Sequence, residues 1–119
     1  MEVQLGDNAD LTISVGGIAV KYNVYQREDA IELQFNDKDR GRAELAARLL
    51  KRAGVSAEVK VDDKDVWYVI ATTDKLAAGR EELRKALAEI VKTAVEKGGI
   101  DASKAEGWLK KLGRSTTST

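Results

Sequence analysis

Apolar and polar residues alternate along Leu11-Thr12-Ile13-Ser14-Val15 and along Ile18-Ala19-Val20-Lys21-Tyr22-Asn23-Val24, with Gly16-Gly17 between them. Period-two alternation is the signature of a strand with one buried face, and two glycines supply the positive φ angles of a tight hairpin turn. A two-residue loop pairs Val15 with Ile18, Ile13 with Val20 and Leu11 with Tyr22. All six side chains then share one face, so the turn and the pattern agree on the register. Ile31-Glu32-Leu33-Gln34-Phe35 alternates in the same way and predicts a third strand.

The period then changes. Asn36-Asp37-Lys38-Asp39-Arg40 reads as turn and helix cap, after which Leu45, Ala46, Leu49, Leu50 and Ala53 fall at helical spacing. Gly54 followed by Val55 suits a left-handed helix stop with a hydrophobic contact behind it. Two further strands are predicted, Ala57-Glu58-Val59-Lys60-Val61 and Val66-Trp67-Tyr68-Val69-Ile70, flanking Asp62-Asp63-Lys64-Asp65. A four-residue loop there pairs Val61 with Val66, Val59 with Tyr68 and Ala57 with Ile70. Thr72-Thr73-Asp74 offers helix caps, and a long helix runs roughly from Lys75 to Lys97 with Leu76, Leu83, Leu87 and Ile90 along one side. Gly79 weakens that helix by about 1 kcal/mol against Ala, so its regular part is expected after the glycine. Asp101 caps a last short helix bearing Ala105, Trp108, Leu109 and Leu112.

The expected architecture is α+β, in the order β-β-β-α-β-β-α-α. One antiparallel sheet of about five strands carries its helices on its apolar face. Residues 1–113 form one domain in this reading, and 114–119 a polar, flexible tail.

These registers also define the opposite sheet face. It is expected to be polar, with Thr12, Ser14, Lys21, Asn23, Glu32 and Gln34 on the first three strands. Glu58, Lys60, Trp67 and Val69 are expected there from the later hairpin, with Tyr25 beside them. Lys60 lies opposite Trp67 in that register. Aromatic rings beside cations on an open sheet can stack bases and neutralise phosphate. The same surface could instead receive a protein or a second copy of the chain.

Composition narrows the chemistry. The chain has neither cysteine nor histidine, which excludes disulfides and thiolate metal sites and removes the commonest general base. Serine and threonine therefore have no imidazole to activate them, and Gly16-Gly17 lies in a hairpin rather than ahead of a helix, so it is not a phosphate-binding loop. Asp62, Asp63 and Asp65 could attract a hard cation, but Lys64 sits among them and the glycine and glutamate of a calcium loop are missing. A solvated acidic hairpin tip is the better reading. No catalytic residue, cofactor, metal or small-molecule substrate is expected, and the chain is not expected to be an enzyme.

The charge balance is even, 20 basic against 20 acidic side chains, but unevenly spread: residues 1–37 hold two basic and seven acidic groups. Lys38, Arg40, Arg42, Arg48, Lys51 and Arg52 gather around the first helix. That is the wet side of an amphipathic helix unless Arg40, Arg42 and the sheet edge make one continuous surface, which would then be a phosphate track. High charge with few amides resembles thermophile composition, though the lack of proline does not. No apolar run nears the roughly 20 residues of a membrane span, and the acidic start is unlike a signal peptide, so a cytoplasmic location is expected.

The stretches DRGRAELAARLLKRAGVSAEV, from Asp39, and DVWYVIATTDKLAAGREELRKALAEIVKTAVEKGGIDASKAEGWLKKL, from Asp65, resemble the archaeal repeat-element family PaRep, type 2b. The resemblance covers most of the chain and looks like that family's amino-terminal module. It implies a hyperthermophilic archaeon and a multicopy, mobile or repeat element, and it implies no activity. A weaker likeness, of topology alone, is to half of a LAGLIDADG homing endonuclease, whose curved sheet sits on DNA. Those enzymes carry a metal-binding acid on an apolar helix ahead of the first strand. Here Met1 to Asp10 precedes the first predicted strand without such a helix, and Leu76-Ala77-Ala78-Gly79 is only an echo. The leading expectation is a non-catalytic, nucleic-acid-associated module of a mobile archaeal element that binds DNA or RNA through the open sheet face with Lys21, Tyr25, Lys60 and Trp67, joined by Arg40 and Arg42 if these are continuous with the sheet edge. The alternative is a protein-interaction or homodimerisation module.

Overall fold

The computed structural model describes residues 1–27 and 29–113, so the predicted tail at 114–119 lies outside the described residues. Among the described residues the fold is α+β, with six antiparallel strands rather than five. They are β1 (Glu2–Leu5), β2 (Asp10–Val15), β3 (Ile18–Gln26), β4 (Ile31–Asp37), β5 (Val59–Val61) and β6 (Trp67–Thr72). Their order in the sheet is β1-β2-β3-β4-β6-β5. Helices α1 (Arg40–Arg52), α2 (Thr73–Leu76), α3 (Glu81–Glu96) and α4 (Ala102–Lys111) gather against one side of it.

The first hairpin forms as its sequence dictates. Gly16 and Gly17 take φ angles of 57° and 83°, and Val15 pairs with Ile18, Ile13 with Val20 and Leu11 with Tyr22. Leu11, Ile13, Val20, Tyr22, Val24, Ile31 and Leu33 are all buried on the helix side. The segment ahead of it is more than a lead-in. Val3 and Leu5 alternate with Glu2 and Gln4, and this short run pairs along β2, with Val3 opposite Ile13 and Leu5 opposite Leu11.

The second hairpin departs from expectation by one residue. Val61 pairs with Trp67, Lys60 with Tyr68 and Val59 with Val69. The connection holds five residues, closed by Asp62 N–H to the Val66 carbonyl at 3.0 Å, with Asp65 in the left-handed region at φ 60°. A slip of one residue turns every side chain of a strand to the other face. Val69 and Ala71 are therefore buried in the core, Trp67 packs against it, and Tyr68 and Ile70 turn outward.

The helices end where chemistry stops them. Asp39 caps α1 by accepting from Gly41 N–H at 2.9 Å, and Gly54, at φ 87°, ends it with Val55 N–H returned to the Leu50 carbonyl. Gly79 breaks the long apolar stripe into α2 and α3, as its low helix propensity foretells. It is also a close-approach point. A Cβ there would lie 3.0 Å from the Leu76 carbonyl oxygen and 3.2 Å from side chains of Leu83 and Val55. Arg84 then ties the joint together, donating to the carbonyls of Gly79 at 3.0 Å and Leu112 at 3.1 Å. Trp108 is buried, and its indole N–H donates to the Asp29 carbonyl at 3.4 Å. Among the described residues no helix is long and apolar enough to cross a membrane.

Candidate nucleic-acid interface

The six candidate residues divide between the two faces of the sheet. Lys21 and Tyr25 project from β3 on the face that carries no helix, but each is already engaged. Lys21 pairs with Asp10 at 3.1 Å, and the Arg27 guanidinium sits 5.2 Å from the centre of the Tyr25 ring while its Nε bonds Glu32 at 3.0 Å. Lys60 stands on the same face, opposite Tyr68 rather than opposite Trp67. Tyr68 is thus the aromatic residue that the one-residue slip exchanges onto the open face. With Glu58, Ile70, Thr72 and Lys75 these two line a shallow depression of about 330 Å³.

Asp10 owes its burial to structure rather than to chemistry. Its carboxylate accepts from Asn8 N–H at 3.0 Å and faces Lys21. The Asn8 amide first, and the Lys21 ammonium second, hold its carboxyl below the usual carboxylate range. It is a fixed anion that orders the β1–β2 turn.

Trp67, Arg40 and Arg42 meet at the other face, where α1 begins. The alternation that buries Val69 sends Trp67 to the helix side, directly opposite Asp37 of β4. The N-cap at Asp39 fixes the first turn of α1 above this pair. Arg40 then lies over the Trp67 ring, 5.1 Å from its centre, and its Nε bonds Glu44 at 2.8 Å. Arg42 reaches Asp37 at 3.1 Å. Both arginine side chains remain about two-thirds exposed, 67% for Arg40 and 65% for Arg42. Trp67 also pairs with Val61 of the edge strand β5, so Arg40 lies over a residue next to the sheet edge.

Further basic residues follow along α1. Residues 38–52 carry six basic side chains against two acidic ones, of which Asp39 is the cap and Glu44 the partner of Arg40. Arg48, Lys51 and Arg52 are exposed beyond them, and among the described residues none of the three has an ion-pair partner. Lys51 and Arg52 also oppose the negative end of the helix dipole, a stabilising position in its own right. Asp62 at the nearby hairpin tip is committed to the turn, its carboxylate accepting from Lys64 N–H at 2.8 Å and Val66 N–H at 3.0 Å.

Sequence reasoning missed Tyr68, because Val66-Trp67-Tyr68-Val69-Ile70-Ala71 is apolar in both parities and so carries no choice of face. It also missed that Arg27 would cover Tyr25. Compared with family models, curated proteins and solved structures, the chain matches none of them.

Proposed function

We propose that this protein is a non-catalytic nucleic-acid-binding module that engages its ligand along α1 and at the Arg40–Trp67 stack. The observation that carries this reading is the guanidinium of Arg40 over the indole of Trp67 at the head of a net basic, outward-facing helix. Such a pair offers a planar cation for base stacking or phosphate contact, with Arg42, Arg48 and Lys51 following the backbone. The likeness of residues 39–59 and 65–112 to an archaeal repeat-element family accords with a nucleic-acid setting and adds no activity.

The test is fluorescence of Trp67 during titration with single- and double-stranded DNA and RNA at low and physiological salt. Trp108 is buried, so Trp67 dominates the response to a surface ligand. Binding weakens as salt rises, through release of counterions. The double variant Arg48→Gln/Lys51→Gln flattens that salt dependence, and Arg40→Ala weakens affinity by about tenfold, the scale of one lost stacking contact. A flat titration at low salt for all four ligands rejects the reading.

A second surface has its own support, the Lys60–Tyr68 pair on the open face. Binding that survives Arg40→Ala but falls with Tyr68→Ala moves the site there.

A further inference from the structure

The exposed side of α1 is not uniform along its length. At the head, Arg40 is held by Glu44 at 2.8 Å and Arg42 by Asp37 at 3.1 Å. Those carboxylates offset the charge that would draw a phosphate to either arginine. What remains at Arg40 is a plane, held through its Nε and lying over the Trp67 indole, 5.1 Å from the ring centre. A planar cation pinned in this way suits the flat face of a base.

The tail of the helix differs. Arg48 and Lys51 have no ion-pair partner among the described residues. With Ala47, Ser56 and Ala57 they line a shallow depression of about 270 Å³, and among the described residues no acidic side chain is part of its wall. A helix C-terminus ordinarily repels anions through its bare carbonyls. Here the carbonyls of Leu49, Leu50, Lys51 and Ala53 already accept from the N–H groups of Ala53, Val55, Gly54 and Arg80. Two cations and a serine hydroxyl thus form a cup with little to oppose an anion.

The distance from head to tail selects the ligand. Lys51 follows Arg40 by eleven residues, about three helical turns, so the two stand along one line of α1 about 16.5 Å apart. A nucleic-acid strand advances roughly 3.4 Å per nucleotide when stacked and more when drawn out, so about three to five nucleotides span that line. In a duplex the same strand winds through about half a turn over five nucleotides, which carries its phosphates away from a straight helix. Duplex bases are also paired and stacked on one another, and so are not free to lie on Arg40. Given the nucleic-acid reading of α1, on which this rests, we propose that α1 is a two-subsite platform for a single strand. One base lies on the Arg40–Trp67 pair, and a phosphate about three to five nucleotides along sits in the Arg48–Lys51–Ser56 cup.

The test titrates Trp67 fluorescence at low salt with single-stranded DNA and RNA of increasing length, from a mononucleotide upward, and with a stable blunt duplex beside its separate strands. Affinity should rise up to about five nucleotides and then level, and the duplex should bind about tenfold more weakly than its separate strands. Arg48→Gln/Lys51→Gln, at exposed positions, should bring the five-nucleotide strand down to the affinity of the dinucleotide. Its log–log salt slope should be shallower by about 1.4, as two lost phosphate contacts on a single strand require. A duplex bound as tightly as its strands, or an affinity that stops rising at the dinucleotide, overturns the proposal and leaves the nucleic-acid reading standing. The double variant with the parent's affinity for the five-nucleotide strand removes the phosphate cup, and with it the proposal. No binding by any of these ligands removes the reading and the proposal together.

Discussion

The hydroxyl of Tyr22 donates to the main-chain carbonyl of Ala46 at 2.6 Å, joining the middle of β3 to the middle of α1 inside the core. The ring is fully buried and meets Phe35 edge-on at 6.1 Å between centroids. With the Arg42–Asp37 pair at the start of the helix, this bond ties α1 to the sheet. Tyr22→Phe keeps the packing and removes the bond, so the loss of stability should be about 1 kcal/mol. Denaturant unfolding measures it, and an unchanged midpoint would mean the bond contributes nothing net. Burial also pushes the Tyr22 phenol well above its ordinary range. Its contribution is therefore complete below pH of about 10 and is lost as pH rises further.

Thr73 fastens the later half of the chain to the earlier. Its Oγ1 accepts from Ile31 N–H at 3.0 Å in a buried position, so the first residue of α2 satisfies the first residue of β4. Thr73→Val leaves that amide unpaired and should destabilise by about 1–3 kcal/mol. Thr73→Ser, which keeps the oxygen, should recover most of the loss in the same unfolding assay. A loss for Thr73→Ser with none for Thr73→Val would show that the methyl group, not the bond, matters.

Asp10 sets an acid limit. Its folded-state carboxyl is held below the unfolded value, so the stabilisation it brings is present above pH of about 4 and lost as pH falls through the folded value. Asp10→Asn should lower stability at neutral pH and flatten the acid side of the stability profile below pH of about 4. A variant profile parallel to the parent's throughout that range would refute the assignment.

Arg84 is a two-pronged clamp rather than a surface charge. Its Nε and one terminal nitrogen serve carbonyls on two separate segments, at Gly79 and at the end of α4. A lysine cannot reproduce that fork. Arg84→Lys should leave most of the fold intact while speeding hydrogen exchange in α4, from Ala105 to Leu112. Unchanged exchange there would remove the clamp's role.

Much of this arrangement was legible in the sequence, and the failures have definite causes. The first hairpin could be read to the residue because Gly16-Gly17 fixes the loop length and only one parity of Leu11–Val24 is apolar. The second could not, because both parities of Val66–Ala71 are apolar and an aspartate, Asp65, supplies the left-handed residue that lengthens the loop. That single residue moved Trp67 from the open face to the side of α1, and with it the candidate site. β1 escaped notice because four residues make a weak alternation, although Gly6-Asp7-Asn8 after it was a turn signal. Gly79 was visible as a break, but its contact with Val55 and Leu83 was not.

The strand order has a consequence for the chain as it is made. β1 to β4 join neighbour to neighbour and can pair as soon as residue 37 has emerged from the ribosome. Their apolar side, from Leu11 to Leu33, then waits for α1 and, later still, α3 to arrive. A half-synthesised chain is thus a ready-made sheet with an uncovered greasy face, the kind of species that sticks to its neighbours. Synthesis that pauses before residue 53 should be the moment of greatest hazard for this protein.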